Sequence, residues 1–593
     1  MADYNYGGSD EENSEIRRLN LELDVDSDDF EHWEKLIYAC EALDGGLNRN
    51  SSPQALETMR NTYDRVLLKF PLLFGYWKKY ADFEFNITGP EAAELVYERG
   101  CASITNSVDL WTQFCSFKME TTHEPQPVRE VFERAAEHVG LDFLAHPFWD
   151  KYLEYEERQE ASEQIFAILK QIVQIPMHQY ARYFERYQQL SQTRPVAEIV
   201  SEDVLAHLRA EIAGEDAEIA SKSDAEIEAV LRSKVDALSY AVFIKTQEET
   251  NKRWTYEAEI KRPYFHVTKL EHSQLSNWRK YLDFEESEGD ISRVVFLYER
   301  CLVTCAYYDE IWFRYVRWMS AQAGKEEDVR NIFLRASTLF VPISRPAIRL
   351  QFAYFEESCG RVEYARAIHN AVIEVLPNSV EAILSLANLE RRQAGLDAAI
   401  ELFKQTIAEP QVDIYTKAAL VAEWAFLLWK VKGSIGDART VFVKNVQYYA
   451  DSRQFWWKWL EFELAQPPVA ASEAEEEDKK ETAEDRLGHV ITTMRTQSHL
   501  PLSTKKELCQ VYMTYLQQRG GKDSMKTYLA IDREFFGPAS ISFSAMDKTE
   551  SKESEPHADL DGTTTEKATL RYRSFFETFE DPDPDAQGPA DFE

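Results

Sequence analysis

The sequence predicts an all-α protein built as a solenoid of helix pairs in two arms. Tryptophan-led aromatic patterns recur along the chain with helical spacing, and consecutive copies start 34 to 38 residues apart. Gly and Pro stand between the paired segments rather than inside them. A period of this length fits a two-helix unit that stacks on its neighbours. At 593 residues the chain is also too long for one hydrophobic core.

The first helix of each unit carries a tryptophan, aromatic residues three and six positions later, and a glutamate at the seventh. The copies at Trp111 and Trp312 lack the acid, and two further copies near residues 349 and 383 lack the tryptophan. These positions fall within an arc of about 120° on a helix, so the glutamate should be buried with the rings. The pattern residues are Trp77, Tyr80, Glu84, Trp111, Trp149, Tyr152, Glu156, Trp278, Tyr281, Glu285, Trp312, Tyr315, Trp456, Trp459 and Glu463.

The second helix of each unit is marked by an aromatic residue followed two positions later by Arg or Lys. A buried carboxylate without a partner costs several kcal/mol, and a bidentate arginine is the strongest partner available. The arginine of this mark is the obvious partner, and we expect Glu84, Glu156 and Glu285 each to bond an arginine, a backbone amide or an aromatic hydroxyl nearby and to set the register of neighbouring helices. The marks include Tyr97 with Arg99, Phe132 with Arg134, Tyr298 with Arg300, and Arg335 after Phe333.

Together the two helix patterns resemble the HAT (half-a-TPR) repeat family, whose members work in RNA-processing complexes. The resemblance covers roughly residues 30–535. It implies a right-handed, TPR-like α-solenoid without enzymatic activity or cofactor, located in the nucleus. Longer strings point within the family to a component of the U1 small nuclear ribonucleoprotein. These strings are FPLLFGYWKKYADFE (70–84), SVDLWTQFCSF (107–117), GLDFLAHPFWDKY (140–152), KRPYFH (261–266) and LYERC (297–301).

The resemblance also implies partners. The protein would act in pre-mRNA splicing as a scaffold that bridges U1 proteins and splicing regulators during 5′ splice-site recognition. HAT proteins commonly dimerise through their C-terminal arm, so a homodimer or a dimer with a HAT paralogue is expected. The tryptophan-rich, apolar stretch with Trp424, Trp429 and Trp457 is the candidate dimer arm; burial inside the solenoid is the alternative explanation, and the resemblance favours the interface.

Composition shifts divide the chain into five segments. Of the net charge of −36, four acidic stretches hold −30, and the rest of the chain is close to neutral. The expected divisions are a disordered acidic N-terminus at 1–29, an N-terminal HAT arm at 30–190, an acidic helical insertion at 191–253, a C-terminal HAT arm at 254–535 with an acidic loop at 468–486, and a disordered acidic tail at 540–593 containing a possible docking segment at 571–579.

Other classes of function find little support in the residues. No P-loop, HExxH or nucleophile elbow occurs, the histidines are scattered, and Cys301 and Cys305 lack further metal ligands nearby. No stretch is long and apolar enough to span a membrane, and the N-terminus is not a secretory signal. Aromatic-basic strings at 76–80 and 455–459 could stack on RNA, but helical spacing favours a core role, with RNA contact indirect or weak. A direct RNA binder and a HAT scaffold of 3′-end cleavage remain the alternatives.

Overall fold

The computed structural model of the protein describes residues 5–215, 224–466 and 482–536, and these residues form helices and connecting turns without a β-strand. The chain divides into two compact units, Met1–Val375 and Leu376–Glu593. Each has its own buried cluster of apolar side chains. The predicted all-α fold is confirmed.

The first unit begins with nine helices, of which α2 to α9 pack as consecutive pairs. Serine caps or Pro at the first turn start several of them, as expected for helix N-termini. Their bounds are α1 Asp10–Val25, α2 Phe30–Glu41, α3 Pro53–Lys69, α4 Phe74–Ile87, α5 Pro90–Ser103, α6 Val108–Thr121, α7 Pro125–Val139, α8 His146–Arg158 and α9 Ser162–Ile172.

A long helix, α13, completes the fifth pair of this unit. Its central part packs against α10, where Phe243 stacks on Phe184 with ring centroids 4.6 Å apart. Three further pairs follow, and a π-helical turn at Ala336–Phe340 extends α17. The bounds are α10 Tyr180–Gln192, α11 Val196–Ile199, α12 Glu202–Glu215, α13 Asp224–Glu259, α14 His272–Glu288, α15 Ile291–Cys305, α16 Asp309–Ser320, α17 Glu326–Arg335, α18 Ala347–Ser358 and α19 Val362–Val375.

The second unit continues the helix pairs around one central helix, α22. This helix contacts α20, α21, α23 and α24, which explains why it is apolar on nearly every side. The bounds are α20 Val380–Ala394, α21 Leu396–Ala408, α22 Ile414–Lys430, α23 Ile435–Tyr449, α24 Arg453–Leu464, α25 Ala483–Gln497, α26 Leu502–Arg519 and α27 Ser524–Ile531, followed by a π-helical turn at Asp532–Phe536.

The N-terminal segment departs from the expectation of disorder over residues 1–29. Helix α1 forms there, and Ser9 and Glu12 make a capping box at its start. Ile16, Leu19 and Leu23 share one face and are buried. The high charge of the segment concealed this narrow apolar face, which is sufficient to dock the helix on α2.

Segment boundaries also differ from the composition-based divisions. Helix α13 runs through the expected boundary at 253/254, and the two compact units meet at 375/376, inside the expected C-terminal arm. Residues 482–486 of the expected acidic loop belong to the capped start of α25. Residues 467–481 and the tail at 540–593, with the segment 571–579, lie outside the described residues.

Candidate functional site

Most of the pattern tryptophans are anchored in the same way near the start of their helices. The indole N–H of Trp77 donates to the carbonyl of Pro71, six residues earlier, at 2.8 Å. Trp149 reaches further back, to Gly140 at 3.2 Å, whereas the buried indole nitrogen of Trp278 has no partner. Each bond fastens the helix to the turn that precedes it. The indole N–H also donates to the backbone carbonyl six residues earlier in Trp33, Trp111, Trp312 and Trp456.

At eight junctions between helix pairs in the described part of the chain, the aromatic residue of the second helix stacks on the ring three positions after the tryptophan site of the next first helix. Tyr63 lies nearly parallel to Tyr80, with an interplanar angle of 10° and centroids 4.9 Å apart. Such stacking joins successive pairs through the core. The equivalent stacks are Tyr97 on Phe114, Phe132 on Tyr152, Phe166 on Tyr187, Tyr256 on Tyr281, Tyr298 on Tyr315, Phe333 on Phe352 and Phe442 on Trp459.

The buried glutamates bond arginines, but not the arginines of the predicted mark. Glu84 accepts two hydrogen bonds from Arg60, at 2.6 and 3.0 Å, and Arg60 lies three residues before the aromatic Tyr63 rather than two after it. A residue two after the aromatic points to a different neighbour because it is about half a helical turn further round. The equivalent pairs are Glu156 with Arg129, Glu285 with Arg253, Glu356 with Arg330 and Glu463 with Arg439.

Charge pairing at these sites is close and largely shielded from water. The side chain of Glu156 is fully buried, and its hydrogen bond to Arg129 holds the pKa of that guanidinium above its usual value. The hydrogen bond from Arg60 to Glu84 likewise raises the pKa of Arg60. The two guanidinium groups therefore stay charged near neutral pH, and their bonds to the carboxylates join neighbouring helices.

Two repeats that lack the glutamate fill the glutamate and arginine sites with other side chains. Lys118 stands at the glutamate site of the Trp111 repeat and bonds Glu94, which occupies the usual arginine site, at 2.5 Å. In the Trp312 repeat the two sites hold Met319, which is buried, and Val295, which packs against the core. The position thus accepts an ion pair of either orientation or two apolar side chains.

The arginine of the predicted mark has its own neighbours. Arg99 bonds Asp64 on the preceding second helix at 2.8 Å, and its guanidinium carbon lies 5.5 Å from the centre of the Trp77 ring. This combination of ion pair and cation–π contact covers the tryptophan. Arg134 with Glu98 and Trp111, Arg335 with Glu299 and Trp312, and Arg300 with Glu257 and Trp278 repeat the arrangement.

The candidate dimer-arm tryptophans are partly buried in the second unit. Trp429 packs edge-on against Phe462, with centroids 5.4 Å apart, and Trp457 lies under the guanidinium of Arg453. Trp424 packs against the same core. Each ring contributes to the core and keeps part of its surface outside it.

Lysines of the two aromatic-basic strings are engaged by acidic side chains. Lys79 bonds Glu41 on α2 at 2.8 Å, and Lys458 lies 3.4 Å from both Glu423 and Glu461. Trp77, Trp456 and Trp459 are buried, so these rings cannot stack on a base.

A metal site or a membrane span would be another kind of site in the part of the chain that the structure describes. It contains no group of three or more His, Cys, Asp or Glu side chains that could hold a metal ion. Cys301 and Cys305 are buried thiols. None of the described helices is long and apolar enough to cross a membrane.

Comparison with known proteins places the repeats in a defined family. The family described as PRP39 N-terminal HAT repeat matches residues 17–189, and that described as PRP39 C-terminal HAT repeat matches residues 251–392. Pre-mRNA-processing factor 39 of Schizosaccharomyces pombe is 47% identical over 543 residues, covering 89% of this chain and 88% of that protein. Its namesake in Homo sapiens is 31% identical, covering 69% of this chain and 64% of that protein.

More distant similarity extends to two other proteins. The U1 small nuclear ribonucleoprotein component PRP42 of Saccharomyces cerevisiae is 24% identical, covering 51% of this chain and 56% of that protein. The crystal structure of CstF-77 matches with a TM-score of 0.51 at 14% identity, covering 86% of this chain and 95% of that chain, and shows the fold alone. By its repeats, its fold and its identity to these relatives, the chain belongs to the pre-mRNA-processing factor 39 family of HAT-repeat proteins.

Proposed function

We propose that this protein is a nuclear scaffold of the U1 small nuclear ribonucleoprotein, without enzymatic activity, that bridges U1 proteins and splicing regulators during 5′ splice-site recognition. The carrying observation is the repeated pairing of buried charges and aromatic rings, which uses the chemically active groups to hold helices in register. The names of its relatives, splicing factors and a U1 component, support the assignment.

Protein partners suit this architecture better than RNA does. A stack of helix pairs offers extended surfaces to peptide segments and domains. Non-specific RNA binding needs clustered Lys and Arg, whereas the net charge here is −36 and several surface lysines already pair with acids. RNA would then be reached through the bound proteins.

An affinity purification tests the assignment. The tagged full chain should recover U1 RNA and U1 proteins from a nuclear extract, and recovery should survive moderate salt because the contacts are to protein. Recovery of 3′-end cleavage factors without U1 RNA would contradict the proposal. Binding of purified protein to naked RNA with a steep salt dependence would support direct RNA binding instead.

The second unit is proposed as the dimer arm, within residues 380–535. Ile414 and Tyr415, adjacent at the start of α22, are more than half exposed, and large apolar side chains in such positions are typical of interfaces. The partly buried Trp424, Trp429 and Trp457 lie in the same unit. The partner would be a second copy of the chain or a HAT paralogue.

Light scattering tests whether the chain forms a homodimer. The chain weighs 68.9 kDa, so a dimer should show about twice that mass, and the double variant Ile414→Asp/Tyr415→Asp should return to the monomer mass. Leu95→Asp, at an exposed position of α5, is the matched control and should remain dimeric. A monomer mass at every concentration of the unmodified chain would exclude the homodimer and leave the paralogue as partner.

A further inference from the structure

Arg300 on α15 contacts two buried carboxylates from different parts of the chain. Its two terminal nitrogens donate to Glu257 on α13 at 2.5 and 2.8 Å, and its Nε lies 2.9 Å from Asp142. All three side chains are more than nine-tenths buried. One guanidinium therefore binds two carboxylates away from water and balances the charge of one of them.

Asp142 makes this arginine different from its counterparts. Arg99, Arg134 and Arg335 each bond one acid on the preceding second helix. Arg300 bonds the equivalent acid, Glu257, and also Asp142, which lies in the turn between α7 and α8. Asp142 falls in the region that matches the N-terminal HAT family, whereas Glu257 and Arg300 fall in the region that matches the C-terminal one.

Surrounding groups hold these three side chains in place. The backbone N–H of Leu144 donates to Asp142 at 2.8 Å, and the hydroxyl of Tyr281 donates to Glu257 at 2.9 Å. Leu141, Phe143 and Leu297 line an adjoining cavity together with the charged side chains of Glu257, Glu285, Arg293 and Arg300. Because a buried carboxylate is costly without its partner, the three groups can be satisfied only in one mutual arrangement.

Aromatic side chains also join the two HAT regions close to these three charged groups. Trp254 of α13 packs edge-on against Phe143, with centroids 6.0 Å apart, and stacks on His178 at 5.8 Å. Both partners belong to the N-terminal HAT region, so the start of the second region meets the turns at one end of α8 and α10.

We propose that Asp142, Glu257 and Arg300 form an ionic lock that fixes the orientation of the N-terminal HAT region, residues 17–189, relative to the region that begins at residue 251. The geometry sets the relative positions of any partners bound to the two regions. Each region keeps its own helix pairs, which depend on the glutamate–arginine pairs and aromatic stacks inside it.

Distance measurement in the full chain tests the lock. Nitroxide labels are attached through a ketone-bearing non-canonical amino acid at the exposed positions Leu95 and Leu339, one in each region. The unmodified protein should give one narrow distance distribution by electron–electron double resonance. Arg300→Met should lose that single distribution and give a broad one, while a label pair at Tyr38 and Leu95, both in the first region, should keep its narrow distribution.

Two further variants make the result decisive. Arg60→Met breaks a buried ion pair inside the first region and should leave the Leu95–Leu339 distribution narrow, since the lock is intact. Asp142→Asn keeps the Arg300–Glu257 pair and the bond from Leu144, and it decides the question if Arg300→Met does not fold. A narrow distribution in a folded Arg300→Met protein, or in Asp142→Asn where only that variant folds, would overturn the proposal.

Discussion

At the scale of single residues, the fold depends on matching each buried charge. Glu84, Glu156 and Glu285 are almost completely shielded from water, and each receives a two-point hydrogen bond from one guanidinium. Removing one partner of such a pair leaves a buried charge and costs about 3–5 kcal/mol, whereas replacing both with apolar groups is often tolerated. The natural apolar pair Met319 and Val295 occupies the same position.

The reversed pair of the Trp111 repeat allows a direct test of this view. Lys118→Glu alone places two carboxylates together and should destabilise the protein by roughly 1–3 kcal/mol, since a partly buried charged group is left unsatisfied. The double variant Glu94→Arg/Lys118→Glu recreates the usual orientation and should recover most of that loss. Thermal unfolding followed by circular dichroism compares the variants, and a double variant as unstable as the single one would contradict the prediction.

Two histidines that pack against other rings predict a pH dependence. Burial lowers the pKa of His138, which stacks on Trp111, and burial together with His178 lowers the pKa of His146. A histidine whose folded pKa lies below its unfolded value of about 6.5 stabilises the fold fully above that value, and the contribution is lost as the pH falls through the folded pKa. The free energy of unfolding should therefore decrease below about pH 6.5.

Urea denaturation at pH 7.5 and pH 5.5 measures this effect. His138→Gln and His146→Gln should each reduce the loss of stability between the two conditions. His489→Gln, a substitution on α25 in the second unit, should not. An equal loss in all proteins would attribute the pH dependence to other groups.

At the scale of helices, the close approach of neighbouring elements depends on small residues. A Cβ atom added at Gly100 in α5 would lie 3.1 Å from Cγ of Trp77 and 3.2 Å from Leu110, so α5 can pass these side chains only without one. Gly75, in the first turn of α4, has no atom within 4 Å of the same position. Only one of these two helical glycines is therefore required by packing.

This difference predicts opposite outcomes for two similar substitutions. Gly100→Val should destabilise the protein by about 1–3 kcal/mol, because it overpacks the contact between α4, α5 and α6. Gly75→Ala should be neutral or stabilise by up to about 1 kcal/mol, because alanine restricts the unfolded chain. Melting temperatures of the two variants test the prediction, and a stable Gly100→Val protein would show that Trp77 can move aside.

At the scale of the whole molecule, the chain contains two bodies of helix pairs. The core of the first includes residues from Ile16 to Phe352, and that of the second includes residues from Ala418 to Ile531. Each is continuous through its own helices, as in repeat proteins where stability adds up between nearest neighbours.

Expression of the two halves tests their independence. Chains ending at Val375 and beginning at Leu376 should each be helical and unfold cooperatively, because each contains its own buried cluster. Circular dichroism and thermal unfolding of the separate fragments provide the measurement. A fragment that is largely unstructured would show that its core needs the other half.

The sequence by itself determined the helix-pair fold, the positions of the pattern tryptophans and the burial of their glutamates. All three follow from local spacing, because a helix places residues 0, 3, 6 and 7 on one face whatever surrounds it. Only the tertiary structure decided which arginine meets Glu84 and why Arg300 bonds Asp142. These contacts join residues on different helices, and the separation of Asp142 and Arg300 in sequence carries no periodic signal. The docking of α1 was likewise decided by its neighbour, since three buried side chains outweigh a strongly charged segment.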